Sequence, residues 1–228
     1  MTRRAFLFDL DGTLIDSERE TAEAMARALE RGQGITIEKY DRDYIIGRSW
    51  IAIYESLQSR YPQLAWTRDE TIAQTALFRD EVFDELGITV LPGARAVLAW
   101  THGQPRALVT GSSRVEVTQV LPRIGPHATF DVIVAAEDVA RSKPAPDGYL
   151  SALQQLQCVP GDCLVIEDSV AGIAAARSAG CIVIAVRAGN FGGWDQSGAH
   201  QILETLDELT PALVDDVFAH YGSKTGAT

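Results

Sequence analysis

The feature that most restricts the fold of this chain is a regular alternation of helical and strand-like patterns over residues 94–186. Helical spacing at 94–100, 114–121, 148–155 and 170–178 is interleaved with apolar runs at 106–109, 131–135, 164–166 and 182–186. Such alternation requires right-handed βαβ crossovers and a parallel sheet. One more apolar run, at 5–8, stands far upstream. Between it and the alternating region, residues 17–86 carry no strand pattern. A helix is predicted over 16–34, where Ala22, Met25, Ala26 and Leu29 recur at helical spacing, with Asp16 or Ser17 as N-cap and Gly32 or Gly34 as stop. Further helices are predicted at 49–58 and 69–86, the second with Ile72, Ala76, Phe83 and Leu86 on its apolar face. The expectation is an α/β chain: a parallel-sheet core from residues 1–15 and 88–228, and an inserted all-helical domain from residues 16–87. Candidate hinges are 14–18 and 87–92.

Composition narrows the class of partner. At 228 residues, 46% hydrophobic and 22% charged, the chain is long enough for a sizeable core and reads as an ordinary globular protein. A formal net charge of -11 leaves no basic stripe to release counterions from nucleic acid. It does not exclude a small phosphate, since a bound divalent cation and one lysine invert the local potential of an acidic crevice. Cys158, Cys163 and Cys181 are odd in number and have no close-spaced pair, which suggests neither a disulfide framework nor a zinc site. A reducing cytoplasm is the expected setting. The basic start is followed by an apolar stretch that Asp9 interrupts too early for a signal peptide, and no run approaches the roughly 18 apolar residues of a membrane span. Nothing in the sequence points to an oligomeric state. The 222–228 tail is expected to fray.

Three apolar runs each end in polar groups: Phe8 gives way to Asp9 and Asp11, Val109 to Thr110, and Ile166 to Glu167 and Asp168. Lys143 follows the 131–135 run by a loop. In a parallel sheet these positions share the carboxyl edge, where open α/β sheets bind ligands. Acids gathered in one crevice repel one another unless a cation lies among them. Hard oxygen donors without sulfur or imidazole select magnesium, which binds alongside substrate phosphate.

Asp9-Leu10-Asp11-Gly12-Thr13, Thr110-Gly111-Ser112, Lys143-Pro144-Ala145-Pro146-Asp147 and Glu167-Asp168-Ser169-Val170-Ala171-Gly172 resemble the four ordered motifs of the haloacid dehalogenase-like hydrolases. Any one string is weak; four in order are strong. The resemblance is greatest to the phosphatases and phosphomutases with a small helical cap after the first motif. It implies a Rossmann-like core and a Mg2+-dependent enzyme for a small phosphorylated metabolite, such as a sugar phosphate or a phosphoglycolate-like acid. It implies roles for individual residues. Asp9 would be the nucleophile and a metal ligand, and Asp11 the acid/base, with its backbone carbonyl on the metal. Thr110, Gly111 and Ser112 would hold phosphoryl oxygens, Lys143 would pair with Asp9 and phosphate, and Asp168 and Glu167 would serve the metal, Glu167 directly or through water.

Each residue also has a plainer reading. Asp-Gly is common turn chemistry, Thr110 could cap a helix, and Glu167 and Asp168 could favour a helix dipole. Lys143 could be a solvated loop lysine, but only Lys39, Lys143 and Lys224 are lysines among 20 basic residues. His102, His127, His200 and His220 are expected at the surface without hydrogen-bonding neighbours, and the glycine-rich 189–198 segment, with Phe191 and Trp194, as a connection beside the sheet edge. Within the resemblance, Asp11 speaks against dehalogenation. The lysine that phosphonoacetaldehyde hydrolases carry three residues after the cap glycine is absent from Gly47, Arg48, Ser49 and Trp50. The β-phosphoglucomutase group is the nearest rival; its cap histidine aligns with Thr21 and its cap-loop arginine with Trp50. Both departures favour hydrolysis over phosphoryl migration. Arg48 is a candidate for a substrate's anionic or hydroxyl groups. Response-regulator receivers also gather acids, a hydroxyl and a lysine at a sheet edge, but they are shorter and lack Asp-x-Asp-Gly-Thr.

Overall fold

The computed structural model describes residues 4–46, 48 and 50–222. Gly47, Ser49 and residues 223–228 of the expected tail, on which sequence expectations were placed, lie outside the described residues. In chain order the elements are β1 (Ala5–Phe8), β2 (Ile15–Asp16), α1 (Glu18–Gln33), α2 (Lys39–Ile45), α3 (Trp50–Arg60), α4 (Arg68–Leu86), β3 (Thr89–Val90) and α5 (Ala94–Trp100). There follow β4 (Arg106–Val109), α6 (Arg114–Ile124), β5 (Val132–Val134), α7 (Asp147–Leu156), β6 (Cys163–Glu167), α8 (Val170–Ser178), β7 (Ile182–Val186), β8 (Gln201–Leu203) and α9 (Pro211–Tyr221). The fold is α/β. The chain divides into two compact units, Met1–Asp16 with Val90–Thr228, and Ser17–Thr89.

The first unit is built on a six-stranded sheet in the order β5-β4-β1-β6-β7-β8, every neighbouring pair parallel. The strands of its centre read as continuous apolar runs because both faces are covered. On one face Ala5, Leu7, Val109, Val165 and Val183 pack with Tyr149, Ala152 and Leu153 of α7 and Ile173 and Ala176 of α8. On the other, Phe6 meets Trp100 of α5 edge-on at 5.5 Å. The chain builds outward from β1 to β5, then returns to β6 on the opposite side. That reversal leaves a crevice beyond the carboxyl ends of β1 and β6, the position where doubly wound sheets take ligands.

The regular elements of the second unit are the four helices α1–α4, apart from Thr89, which opens β3. Met25 and Leu29 of α1 pack with Ile45 of α2, Ile53 and Leu57 of α3, and Leu64. Ser17 occupies the N-cap of α1 without a side-chain capping bond, and Gly34 closes the helix in the left-handed conformation. The apolar face expected for α4 is corrected. The buried stripe is Thr71, Thr75, Arg79, Val82 and Phe83, whereas Ile72 and Ala76 are half-buried and Leu86 is 63% exposed. Polar residues can occupy this stripe because their hydroxyls are satisfied inside the helix: Thr71 donates to Thr67 O at 2.9 Å and Thr75 to Thr71 O at 2.8 Å. On the outside, Arg27 of α1 reaches Glu81 and Glu85 of α4 at 2.9 and 2.7 Å.

Helix α2, strand β8 and helix α9 escape the sequence reading, each being short or weakly patterned. The three cysteines are free. No helix among the described residues is long and apolar enough to cross a membrane. Helix α4 opens on a capping box in which Thr67 accepts from Glu70 N and Glu70 accepts from Thr67 N. Thr67→Ala is expected to cost about 1 kcal/mol of stability, read by urea denaturation against the parent.

Candidate active site

The turn after β1 presents Asp9, whose backbone N–H donates to Ile166 O at 3.0 Å and so ties the acid to the end of β6. Gly12 follows at φ +82°, and a Cβ there would lie 2.2 Å from Asp168 Oδ2. Only glycine lets this turn approach the second acidic loop so closely. Asp9, Glu167 and Asp168 each offer a carboxylate oxygen within 4.8 Å of the others.

Lys143 completes the cluster. Its Nζ donates to Asp9 Oδ1 at 2.5 Å, Glu167 Oε1 at 2.6 Å and Val109 O at 2.9 Å. Glu167 is fully buried and saturated with donors. Tyr149 Oη donates to Oε1 at 3.0 Å, and Asp168 N, Ser169 N and Ser169 Oγ each donate to Oε2 at 3.0 Å. Thr13 Oγ1 lies 3.4 Å from Asp168 Oδ1. Asp11 turns elsewhere: it accepts from Ser112 Oγ at 2.5 Å, while Ser112 N donates to Thr110 Oγ1 at 3.0 Å. Beside Thr110, Gly111 and Lys143 opens a cavity of about 300 Å³, walled by Val134 and Ala136 and edged by Arg141.

The electrostatics follow from three carboxyls facing one ammonium. Burial pushes the Asp9 carboxyl well above the usual range, with the Lys143 charge opposing it. Burial, and next the charge of Glu167, push Asp168 up to about 7. Burial works against ionised Glu167 too, yet the Lys143 charge and its hydrogen bonds hold that carboxyl below its ordinary value. Lys143 loses by burial and gains more from Asp9 and Glu167, so it stays protonated. With one ammonium among three carboxyls, full ionisation of the acids would leave a negative excess that a divalent cation would neutralise. The donors are carboxylate oxygens without sulfur or imidazole, a set suited to Mg2+.

The crevice thus brings together Asp9, Glu167, Asp168 and Lys143, with Asp11, Thr110, Gly111 and Ser112 on the adjoining loops. Arg48 belongs to the helical unit, where its guanidinium lies 4.3 Å over the Tyr44 ring. Sequence reasoning missed Tyr149 and Gln196. Nothing in the chain marks Tyr149 beyond its place in the first turn of α7. Gln196 donates from Nε2 to Asp168 O at 2.6 Å and Val186 O at 2.9 Å, so the 189–198 segment is more than a connection. The expectation for the histidines is corrected at His200, which is half-buried and hydrogen-bonded, whereas His102, His127 and His220 are exposed as expected. Val183 N donates to His200 Nδ1 at 3.0 Å, Arg177 contacts the same ring, and His102 meets His127 edge-on at 5.2 Å.

A Rossmann-like parallel sheet thus carries an aspartate, a lysine and an acidic pair at its carboxyl edge. Residues 3–180 match the family model of the haloacid dehalogenase-like hydrolases, and the chain belongs to that family. It is 37% identical over 192 residues to hexitol phosphatase A of Escherichia coli (strain K12), covering 82% of this chain and 85% of that protein. It is 33% identical over 188 residues to fructose-1-phosphate phosphatase YqaB of the same organism, covering 79% of this chain and 95% of the other. Among solved structures, CbbY from Rhodobacter sphaeroides in complex with phosphate superposes with a TM-score of 0.77 at 26% identity, covering 94% of this chain and 100% of that one.

Removal of the shared cation tests the electrostatic account. Lys143→Met leaves Asp9 and Glu167 buried without their partner, an expected loss of about 3–5 kcal/mol. Urea denaturation with chelator present measures it, and Mg2+ is expected to restore part of the loss in the variant.

Proposed function

We propose that this chain is a magnesium-dependent phosphatase of a small phosphorylated sugar or sugar-like acid, working through an aspartyl phosphate on Asp9. The observation that carries this reading is the Lys143 ammonium bridging Asp9 and Glu167, with Asp168 within 4.8 Å. Asp9 and Asp168 would hold Mg2+ by their carboxylates and Asp11 by its backbone carbonyl. Glu167, whose oxygens are already taken by Lys143, Tyr149 and the 168–169 backbone, would act on the ion through water. Bound there, Mg2+ supplies neutralisation of phosphoryl charge.

The protein's own groups carry the steps. An Asp9 oxygen forms a bond to phosphorus as the ester P–O bond breaks, and Asp11 gives its proton to the departing alkoxide. Asp11 then takes a proton from the water that attacks phosphorus, and Asp9 leaves as a carboxylate. The Ser112 hydroxyl bonded to Asp11 orients that acid between the two steps. Lys143, Thr110 and the Gly111 N–H hold phosphoryl oxygens that carry more charge in the transition state than in the ester.

The names of the relatives, hexitol phosphatase and fructose-1-phosphate phosphatase, support the sugar and polyol class over phosphoglycolate. The helical unit would act as a cap that selects substrate, with Arg48 meeting hydroxyl or anionic groups. Hydrolysis is favoured over mutase chemistry because Thr21 and Trp50 stand where the mutase group carries histidine and arginine, and Trp50 packs on the helical unit's own core. The acidic surface and free cysteines support a cytoplasmic enzyme without a nucleic-acid partner.

The test is phosphate release from hexitol phosphates, sugar phosphates, phosphoglycolate, nucleotides and pyrophosphate, with and without Mg2+. Mg2+-dependent release from the first two classes is expected, and no release from any of them overturns the reading. Asp9→Asn is expected to lower kcat at least about a thousandfold with the fold intact. Asp11→Asn is expected to slow both steps and to leave labelled phosphate on Asp9, detected after acid quench.

A further inference from the structure

The 189–198 segment joins β7 to β8 without regular structure, yet it touches both acid-bearing turns of the crevice. At Gly189 a Cβ would lie 1.9 Å from the carbonyl oxygen of Gly12, so the segment lies directly on the turn that follows Asp9. Seven residues later Gln196, only 4% exposed, donates from a single side-chain nitrogen to two carbonyls, Asp168 O at 2.6 Å and Val186 O at 2.9 Å. An amide NH2 has two protons, so each carbonyl receives one, and neither bond can shift without straining the other.

The segment is itself braced. Asn190 accepts from Trp194 N at 2.9 Å and donates to Trp194 O at 2.8 Å, and Ala199 N donates to Gln196 O at 3.0 Å. Among the described residues Asp168, by contrast, holds its carboxylate only by a long bond from Thr13 Oγ1 at 3.4 Å and by its own backbone N–H. Its side-chain direction is therefore set through its backbone: its N–H donates to Glu167 Oε2 and its carbonyl accepts from Gln196.

We propose that Gln196 is a positioning residue that aims the Asp168 carboxylate at the divalent cation by clamping the carbonyls of Asp168 and Val186. The inference rests on the metal role given to Asp168 above. A purely structural tie would move stability and leave the ion's affinity alone. A positioning tie moves affinity first, because partners that orient ligating carboxylates typically change metal affinity by about 10–100-fold.

The experiment is isothermal titration calorimetry of Mg2+ into the full-length protein, alongside thermal melting in chelator. Gln196→Met keeps the length of the side chain and removes both donors, and Gln196→Glu replaces the donors with acceptors facing two carbonyls. Both are expected to weaken Mg2+ binding at least about tenfold, to raise the Mg2+ concentration needed for half-maximal phosphate release, and to recover turnover at saturating Mg2+. Folded variants that bind Mg2+ like the parent overturn the proposal. Independently of any variant, the Gln196 side-chain amide resonances of the parent are followed by NMR during Mg2+ titration. They are expected to shift with the same saturation curve as binding, and unmoved resonances overturn the proposal even if both variants fail to fold. A parent that binds no Mg2+ would instead refute the metal reading itself, which separates the two failures.

Discussion

The arrangement of the crevice depends on one buried ammonium held between two carboxylates. Lys143 reaches Asp9 after β1 and Glu167 at the end of β6, and it also caps Val109 O at the end of β4. Three neighbouring strands are thus closed at their carboxyl ends by a single side chain. A buried charge pair gains little over well-packed apolar residues, but a broken one costs several kcal/mol. Such a site is kept for what it does. Here it holds the carboxylate proposed as nucleophile in place beside two further acids that could share a divalent cation.

The surrounding hydrogen bonds divide the acids by role. Glu167 has every lone pair direction met by Lys143, Tyr149, Ser169 or the 168–169 backbone, so it is fixed and ionised. Asp168 is pushed up to about 7 by burial and its acidic neighbour, and it has few donors of its own. Asp11 accepts from the Ser112 hydroxyl, a partner that suits the proton-carrying role proposed for it. Carboxylates a few ångströms apart are therefore made chemically unequal by their partners, the means by which one crevice can hold a nucleophile, a proton carrier and a cation ligand.

Much of this was legible in the chain because it depends on local pattern. Strands such as 106–109 and 182–186 are short apolar runs bounded by turn residues, and the observed β4 and β7 span those same residues. Helix α8 opens at Val170 after Ser169, whose side chain accepts from Gly172 N, a cap readable from residue type. The inner stripe of α4 was not legible. Thr71 and Thr75 are polar by composition and buried in fact, because threonine hydroxyls can bond back to the preceding turn, and buried Arg79 reaches Ser17 Oγ at 3.5 Å. Likewise β8 is only three residues long and is fixed by pairing with β7 at the sheet edge more than by its own periodicity.

The sequence by itself determined the class of sheet, the helical insertion and the identity of the acids, the hydroxyl and the lysine, because polar residues that end apolar strands are displayed by the period of the chain. The tertiary structure alone decided which of those acids share a cation, that Tyr149 supports Glu167, and that Gln196 spans Asp168 and Val186. Those contacts join residues from separate crossovers. Their spacing along the chain carries no signal, since the sheet order and the close approach of glycine-bearing turns set the distances.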